Sequence, residues 1–173
     1  MTDGEPGVEA WKRHTTAFDR VRSVATTVGE PRSASWIADE AAVAENTARG
    51  HLDRLVELGV LRATEEGVTR YAPDPLHTRT QAIRELLDEY SHDGLVGLKR
   101  ELQEQIAAWR AEYGVESAAA LRECAAETDD AAETRAVRRT ANEWELLAYR
   151  LELIEDAISN YAAYTRTDTP VEP

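Results

Sequence analysis

The sequence predicts a mainly α chain in two parts: a small three-helix unit carrying a β-hairpin, and a longer all-α arm. Three observations predict it. Residues 31–71 read in order as a short helix, a tight turn, a longer helix and a two-stranded hairpin. Beyond residue 75 no β-prone run occurs, and apolar residues recur every three or four positions. Pro73-Asp74-Pro75 separates the two parts, and two prolines so close together stiffen the backbone and remove its donors, as a short linker would.

Residues 1–7 are polar with Gly and Pro, and are expected to be disordered. Val8 to Val28 reads as the first helix. Its apolar face is Trp11, Ala17 or Phe18, Val21, Ala25 and Val28, and Gly29-Glu30-Pro31 ends it. The next helix begins at Ser33, whose hydroxyl can cap free amides. Trp36, Ile37 and Ala41 are its apolar positions, and Ala38 is small enough to lie under a crossing helix. The turn falls at Ala42-Val43-Ala44. Thr47 to Leu58 forms the longer helix, with a stripe of Ala48, Leu52, Leu55, Val56 and Leu58. Gly59 suits a left-handed cap. Val60–Thr64 and Val68–Ala72 are β-prone, and Glu65-Glu66-Gly67 between them suits a three-residue hairpin loop. Trp36, Ile37, Leu52, Leu55 and Leu61 are expected to form one small core under the first helix.

Helix, turn, helix and hairpin in this order are what a winged helix-turn-helix uses to place a helix in the major groove of DNA. The stretch SWIADEAAVAENTARGHLDRLVELGVL resembles the winged-helix transcriptional regulators, the ArsR-like and MarR-like ones in particular. The shared features are the small Ala in the shorter helix, the Thr-small-Arg step, and the Leu-x-x-Leu-x-x-x-Gly-Val-Leu ending. The resemblance covers about 40 residues. Two positions depart from it. Ala42 stands where Gly is common, and Ala44 where a Ser cap is common, the missing cap costing ~1 kcal/mol. The resemblance implies a winged helix-turn-helix domain over 8–72, with the hairpin as its wing.

After the linker at 73–75, residues 76–165 read as a helical arm in four segments, about 76–90, 94–113, 117–127 and 130–164. His92-Asp93, Gly114 and Thr128-Asp129 are the expected breaks, and Ser117 and Asp129 the expected caps. Residues 166–173 read as a disordered tail. Two narrow seams run along the arm. One is Leu95, Leu98, Leu102, Ile106, Trp109 and Tyr113; the other is Trp144, Leu147, Leu151, Ile154, Ile158 and Tyr161. The second keeps a heptad, which predicts coiled-coil-like packing. Ile83, Leu86, Leu87 and Tyr90 add a shorter face. These helices must meet one another, a second copy or a different partner. A homodimer is the expectation, since two-fold regulators set two reading helices about 34 Å apart in successive major grooves.

The formal net charge is −13, from 33 acidic and 20 basic residues. Residues 1–72 carry 12 acids and 9 bases, a net of −3, so most of the excess acid lies in the arm. An acidic chain repels DNA, whose affinity comes largely from neutralised phosphates. Only Lys12 and Lys99 are lysines. High Asp and Glu with scarce Lys resembles the proteins of extreme halophiles, such as halophilic archaea. In molar salt the screening length falls to about 3 Å, and distant charge ceases to matter. No run of 18 apolar residues suggests a membrane span, and no signal peptide is recognisable. With one cysteine, a reducing cytoplasm is expected.

Double-stranded DNA is the expected partner. Asn46, Thr47, Arg49 and Gly50 open the reading helix, with Asp53 and Arg54 further along. Residues 46, 49, 50 and 53 share a face. Asn pairs with adenine edges and Arg with guanine edges, so Asn46 and Arg49 are the base-reading candidates. Gly50 allows close approach at the cost of helix propensity. Ser33, Ser35 and Thr47 can hold phosphates, and Arg62, Thr69 and Arg70 on the hairpin can reach the backbone or minor groove. The acids Glu45 and Asp53 run against this reading. Leu95, Leu98, Leu102, Ile106, Trp109, Trp144, Leu147, Leu151, Ile154 and Ile158 are the expected dimer contacts.

A small-molecule or protein effector is open, with an apolar pocket near Trp109, Tyr113, Trp144 or Tyr149 as its site. Cys124 reads as a buried structural thiol. His14, His51, His77 and His92 are too scattered for a metal site. Asp129-Asp130 and Glu155-Asp156 read as solvated faces. No phosphate loop, nucleophile elbow or kinase signature occurs, so neither a cofactor nor an enzymatic activity is expected. The competing reading is an interaction module, in which the arm binds another protein and the winged helix is structural.

Overall fold

A computed structural model describes residues 11, 14–126 and 130–166. The chain is mainly helical with a small three-stranded antiparallel sheet, and it divides into two compact units, Met1–Thr80 and Gln81–Pro173. Of the segments read as disordered, 1–7 and 167–173 lie outside the described residues.

The first unit contains α1 (Ala17–Ala25), β1 (Arg32–Ser33), α2 (Ala34–Glu40), α3 (Glu45–Glu57), β2 (Leu61–Glu66) and β3 (Val68–Pro73). The first helix does not run unbroken from Val8 to Val28. Thr16 is extended, and its hydroxyl accepts a hydrogen bond from the Asp19 amide, so the chain restarts as a helix at Ala17. Residues 8–10, 12 and 13 lie outside the described residues. Val21 and Ala25 enter the core with Ile37, Ala38, Ala48, Leu52, Leu55, Leu61 and Tyr71. Trp36 does not. It is 37 % exposed, and the Arg32 guanidinium lies over its ring at 4.7 Å. Leu58 is also outside, 62 % exposed, because it forms the C-cap of α3 and not its last buried turn.

The turn between α2 and α3 is fixed from two sides. Ala42 adopts φ 52°, a left-handed conformation that suits Gly better than Ala. Arg20 is buried, donating from Nε to the Ala41 carbonyl at 2.9 Å and from Nη1 to the Thr15 carbonyl at 2.9 Å. Its charge is thus matched to two carbonyls, that of Ala41 in the turn and that of Thr15 ahead of α1. A lone arginine among the polar residues of a helix gives no sequence signal of this role.

Ser33 caps α2 as expected, accepting from the Trp36 amide. α3 starts at Glu45, two residues earlier than read, and Ala44 supplies no side-chain cap. Ala44 is exposed and already extended (φ −68°, ψ 144°), so a hydroxyl there finds the right backbone. Ala44→Ser is therefore expected to raise stability by ~1 kcal/mol, measured by urea denaturation. An unchanged midpoint would mean that the α3 start is capped in another way.

Gly59 ends α3 at φ 69°. The hairpin is tighter than the expected three-residue loop: Glu65 pairs with Thr69 and Glu66 with Val68, leaving Gly67 (φ 86°) alone at the tip. β1 was missed, since two residues carry no alternation. It pairs Arg32 with Tyr71 and Ser33 with Arg70, giving the order β1-β3-β2. The expected linker is also absent as a loop. Pro73 closes β3, and Pro75 opens α4 (Pro75–Glu89) at the first-turn position where proline is tolerated. Only Asp74 stands between them, its carboxylate accepting from the Leu76 and His77 amides.

In the second unit, α4 is followed by α5 (His92–Tyr113), α6 (Ala118–Ala126), α7 (Ala131–Ser159) and α8 (Tyr161–Tyr164). His92-Asp93 is not a break. Ser91 caps α5, and both residues lie in its first turn. Gly114 ends α5 at φ 65°, and Ser117 accepts from the Ala120 amide ahead of α6, as read. The cap of α7 is Asp130; Asp129 lies outside the described residues. Asn160 (φ −110°, ψ 11°) interrupts the last segment.

The two seams face each other within one chain. Leu95 packs in a core with Ile83, Leu86, Leu153, Ile154 and Ala157. Ile106 packs in another with Ala118, Leu121, Ala141 and Trp144. Lys99 bridges to Glu155 at 3.0 Å. Numbers rise along α5 as they fall along α7, so the pair is antiparallel. Leu98, Leu102 and Ile158 back the first core; Trp109, Leu147 and Leu151 back the second. The ten residues expected to join two chains are thus consumed as internal core. A heptad pattern requires a facing helix, and here the same chain provides it.

Candidate nucleic-acid interface

α3 buries Ala48, Leu52 and Leu55. At 3.6 residues per turn, the opposite side is Asn46, Gly50, Asp53 and Glu57, all exposed. Gly50 sits in the middle of it. A Cβ there would meet nothing within 4 Å, and its backbone is not left-handed, so neither packing nor conformation inside the unit requires glycine.

Arg49 lies to one side of this face. Its Nη2 donates to Glu45 Oε1 at 2.6 Å and its Nε to the same oxygen at 3.2 Å. The hydrogen bond to Glu45 holds the guanidinium above its usual pKa. Asp53 is tied to the sheet. Its Oδ1 accepts from the Tyr71 hydroxyl at 3.1 Å, which ties α3 to β3. Burial, and then that bond to Asp53, pushes the Tyr71 phenol above the usual range. Strand propensity alone gives Tyr71 no such role. Alternation from Leu61 across the Ala63–Tyr71 pair would have placed it on the core side.

Arg54 departs from the expected reading face. Its guanidinium lies 5.9 Å from the Phe18 ring, and His51 meets the same ring edge-on at 5.5 Å, so both turn toward α1. Thr47 is exposed near the start of α3. Ser33 and Ser35 share a hydrogen bond at 3.1 Å, with Ser33 also engaged as a cap.

On the sheet, directly paired residues share a face. Arg62 pairs with Ala72, Thr64 with Arg70, and Arg70 with Ser33. Ser33, Arg62 and Arg70 therefore line the face opposite Leu61 and Tyr71, and Arg62 and Arg70 are exposed. Thr69 lies on the Tyr71 face, toward Asp53. The sequence-predicted residues thus fall into two groups: Asn46, Arg49 and Gly50 on α3, and Ser33, Arg62 and Arg70 on one face of the sheet, with Thr69 on the other. Glu45, Asp53, Glu57 and Glu65 make the surroundings of the first group acidic.

Cys124 is exposed, not buried, because the inward stripe of α6 is Ala118, Leu121 and Ala125. Among the described residues no group of three or more His, Cys, Asp or Glu is placed to hold a metal ion. No helix among them is long and apolar enough to cross a membrane. The expected aromatic pocket is mostly filled: the Trp109 and Trp144 rings pack at 6.0 Å, and Tyr149 points outward. A groove of about 460 Å³ runs beside Trp144 and Ile106, rimmed by Gln103, Arg110, Glu152 and Glu155.

A profile described as a family of unknown function (DUF7342) matches residues 15–163. No curated protein matches the chain.

Proposed function

We propose that this chain, which belongs to the DUF7342 family of unknown function, is a DNA-binding transcriptional regulator of the winged helix-turn-helix kind. In this reading α3 lies in the major groove, and the β2–β3 hairpin is the wing. The observation that carries it is the exposed face of α3. It follows a rigidly held turn, bears Asn46 and Arg49, and keeps at its centre a glycine for which the unit has no internal use. A missing side chain there lets the helix backbone approach base edges. Asn46 would meet adenine and Arg49 guanine. Arg62, Arg70 and the α2 start at Ser33 suit phosphate contacts, which fix register without reading sequence. Occupying a promoter as a repressor is the simplest mechanism. One α3 reads few base pairs, so the regulator would act as a homodimer with its two reading helices one helical turn apart.

The acidic setting constrains how such a reader works. Arg49 is engaged by Glu45 in the free chain and must exchange that carboxylate for a guanine edge. In molar salt only contacts within about 3 Å count, which favours specific edges over general attraction. The test is a titration of a promoter fragment from the protein's own locus against unrelated DNA, from molar KCl downward. Wild type should prefer its promoter. Asn46→Ala with Arg49→Ala should reduce that preference by about a hundredfold with unchanged helix content. The absence of any preference at every salt would sink the reading.

A second reading is favoured by Glu45, Asp53 and Glu57 on the same helix: α3 would then contact a protein. Promoter and unrelated DNA would be bound equally weakly, and the double variant would alter neither.

A further inference from the structure

Asp53 opposes DNA by its charge, yet it is held on the exposed face of α3. Asn46 and Asp53 flank Gly50 at spacings of 4 and 3, so two short polar residues stand one turn to either side of the glycine. A Cβ at Gly50 would meet nothing within 4 Å, so the helix surface dips between them. A surface that approaches the helix there comes within reach of side chains as short as Asn and Asp. Asp53 is also fixed. Tyr71, itself buried, donates its hydroxyl to Asp53 Oδ1 at 3.1 Å, from β3 to α3. A carboxylate accepts about four hydrogen bonds, so one hydroxyl sets its orientation and leaves it able to accept another.

We infer that Asp53 is a base-reading residue that selects cytosine in the major groove, with Tyr71 as its positioning residue. The inference rests on the DNA-binding reading above and names part of the sequence that is read. In the major groove cytosine presents a donor alone, its N4 amine. Guanine presents two acceptors, thymine one, and adenine a donor beside an acceptor. A carboxylate only accepts. It pairs with the cytosine amine and is repelled by guanine O6 and N7 and by thymine O4. Its repulsion by phosphates is the same at every sequence, so it lowers affinity in general and discriminates at one base pair. A carboxylate already fixed by Tyr71 loses little freedom on contact and cannot swing away from a wrong edge. Asp53 lies about 10 Å along the helix from Asn46, so the cytosine falls within about three base pairs of the adenine that Asn46 meets.

Selection from a pool of duplexes with a randomised core tests it, using the full chain from molar KCl downward. Wild type should enrich a site with one C·G pair preferred about tenfold over the other three pairs. Asp53→Asn keeps an oxygen for the Tyr71 hydroxyl and replaces the other carboxylate oxygen by an amide donor. It should turn the preference at that pair to guanine or thymine, whose edges accept, and leave the other positions unchanged. Tyr71→Phe keeps the ring in the core and removes the hydroxyl; it should cut the preference at the same pair about threefold or more. An Asp53→Asn chain that binds all sequences more weakly alike, or that keeps every base preference, would overturn the inference and leave the regulator reading standing. An unchanged preference in Tyr71→Phe would strike Tyr71 from it. If Asp53→Asn lowers helix content, the Tyr71→Phe result at that one pair decides. A wild type that enriches no site at any salt would overturn both readings.

Discussion

Leu52→Ala is expected to destabilise the first unit by about 2–5 kcal/mol. Leu52 is fully buried on α3, in the core that also takes Val21 from α1, Ile37 from α2 and Leu61 from β2. Truncation removes three carbons' worth of contact at the point where all these elements meet. The surrounding helices are tied by Arg20 and by the Tyr71–Asp53 bond, so they can close the void only in part. A domain of this size is held by roughly 5–15 kcal/mol in total, and small domains lie toward the lower end. The variant should therefore be partly unfolded at moderate temperature and lose the proposed DNA binding, although Leu52 lies outside the proposed reading face. Residue-resolved hydrogen exchange gives the measurement: the amides of α1–α3 should lose protection by this amount. A loss below about 1 kcal/mol would mean that Leu52 is not at the centre of the core. Asn46→Ala, on the exposed face, should leave exchange nearly unchanged while affecting DNA binding.

The contrast between Leu52 and Trp36 explains how much of this fold was legible in the sequence. Ala48, Leu52 and Leu55 follow helical spacing, and burial follows spacing wherever a helix has one neighbour side. Gly59 and Gly114 were readable as helix stops because a left-handed residue is needed there. Trp36 failed because size and apolarity do not specify a direction. The helix turns Ala34, Ile37 and Ala38 inward, which leaves Trp36 outside beside Arg32. Leu58 failed for a similar reason, since the last residue of a stripe is also the cap.

The candidate site was legible in its residues and not in their pairing. Exposure of Asn46, Arg49 and Gly50 follows from the stripe opposite them. That Arg49 is held by Glu45 follows from four-residue spacing. That Asp53 serves Tyr71, and that Arg54 lies against Phe18, depends on where β3 and α1 come to rest. The seams carry the same lesson at larger scale. Spacing says that a helix must be covered; it does not say by which chain. Leu146 shows the converse: it lies outside the heptad and, though apolar, is exposed.

Trp144→Ala should cost about 3–5 kcal/mol in the second unit, measured by urea denaturation of the full chain. Trp144 is buried between α5, α6 and α7, with its ring 6.0 Å from that of Trp109 and with Ile106, Leu121 and Ala141 around it. It is the largest buried side chain of its core, and α6 is too short to hold its place without it. The Arg122 guanidinium, which meets Glu145 and Asn142 on α7, should lose its fixed geometry as α6 loosens. Leu147→Ala, at a half-buried position on the same helix, should cost less. The decisive comparison is made at two protein concentrations a hundredfold apart (roughly the range over which a weak dimer dissociates). If the seam is internal, Trp144→Ala costs the same at both, because its partners are in the same chain. A penalty that depends on concentration would put Trp144 between two chains, and the antiparallel pairing of α5 with α7 would then have to be exchanged between copies.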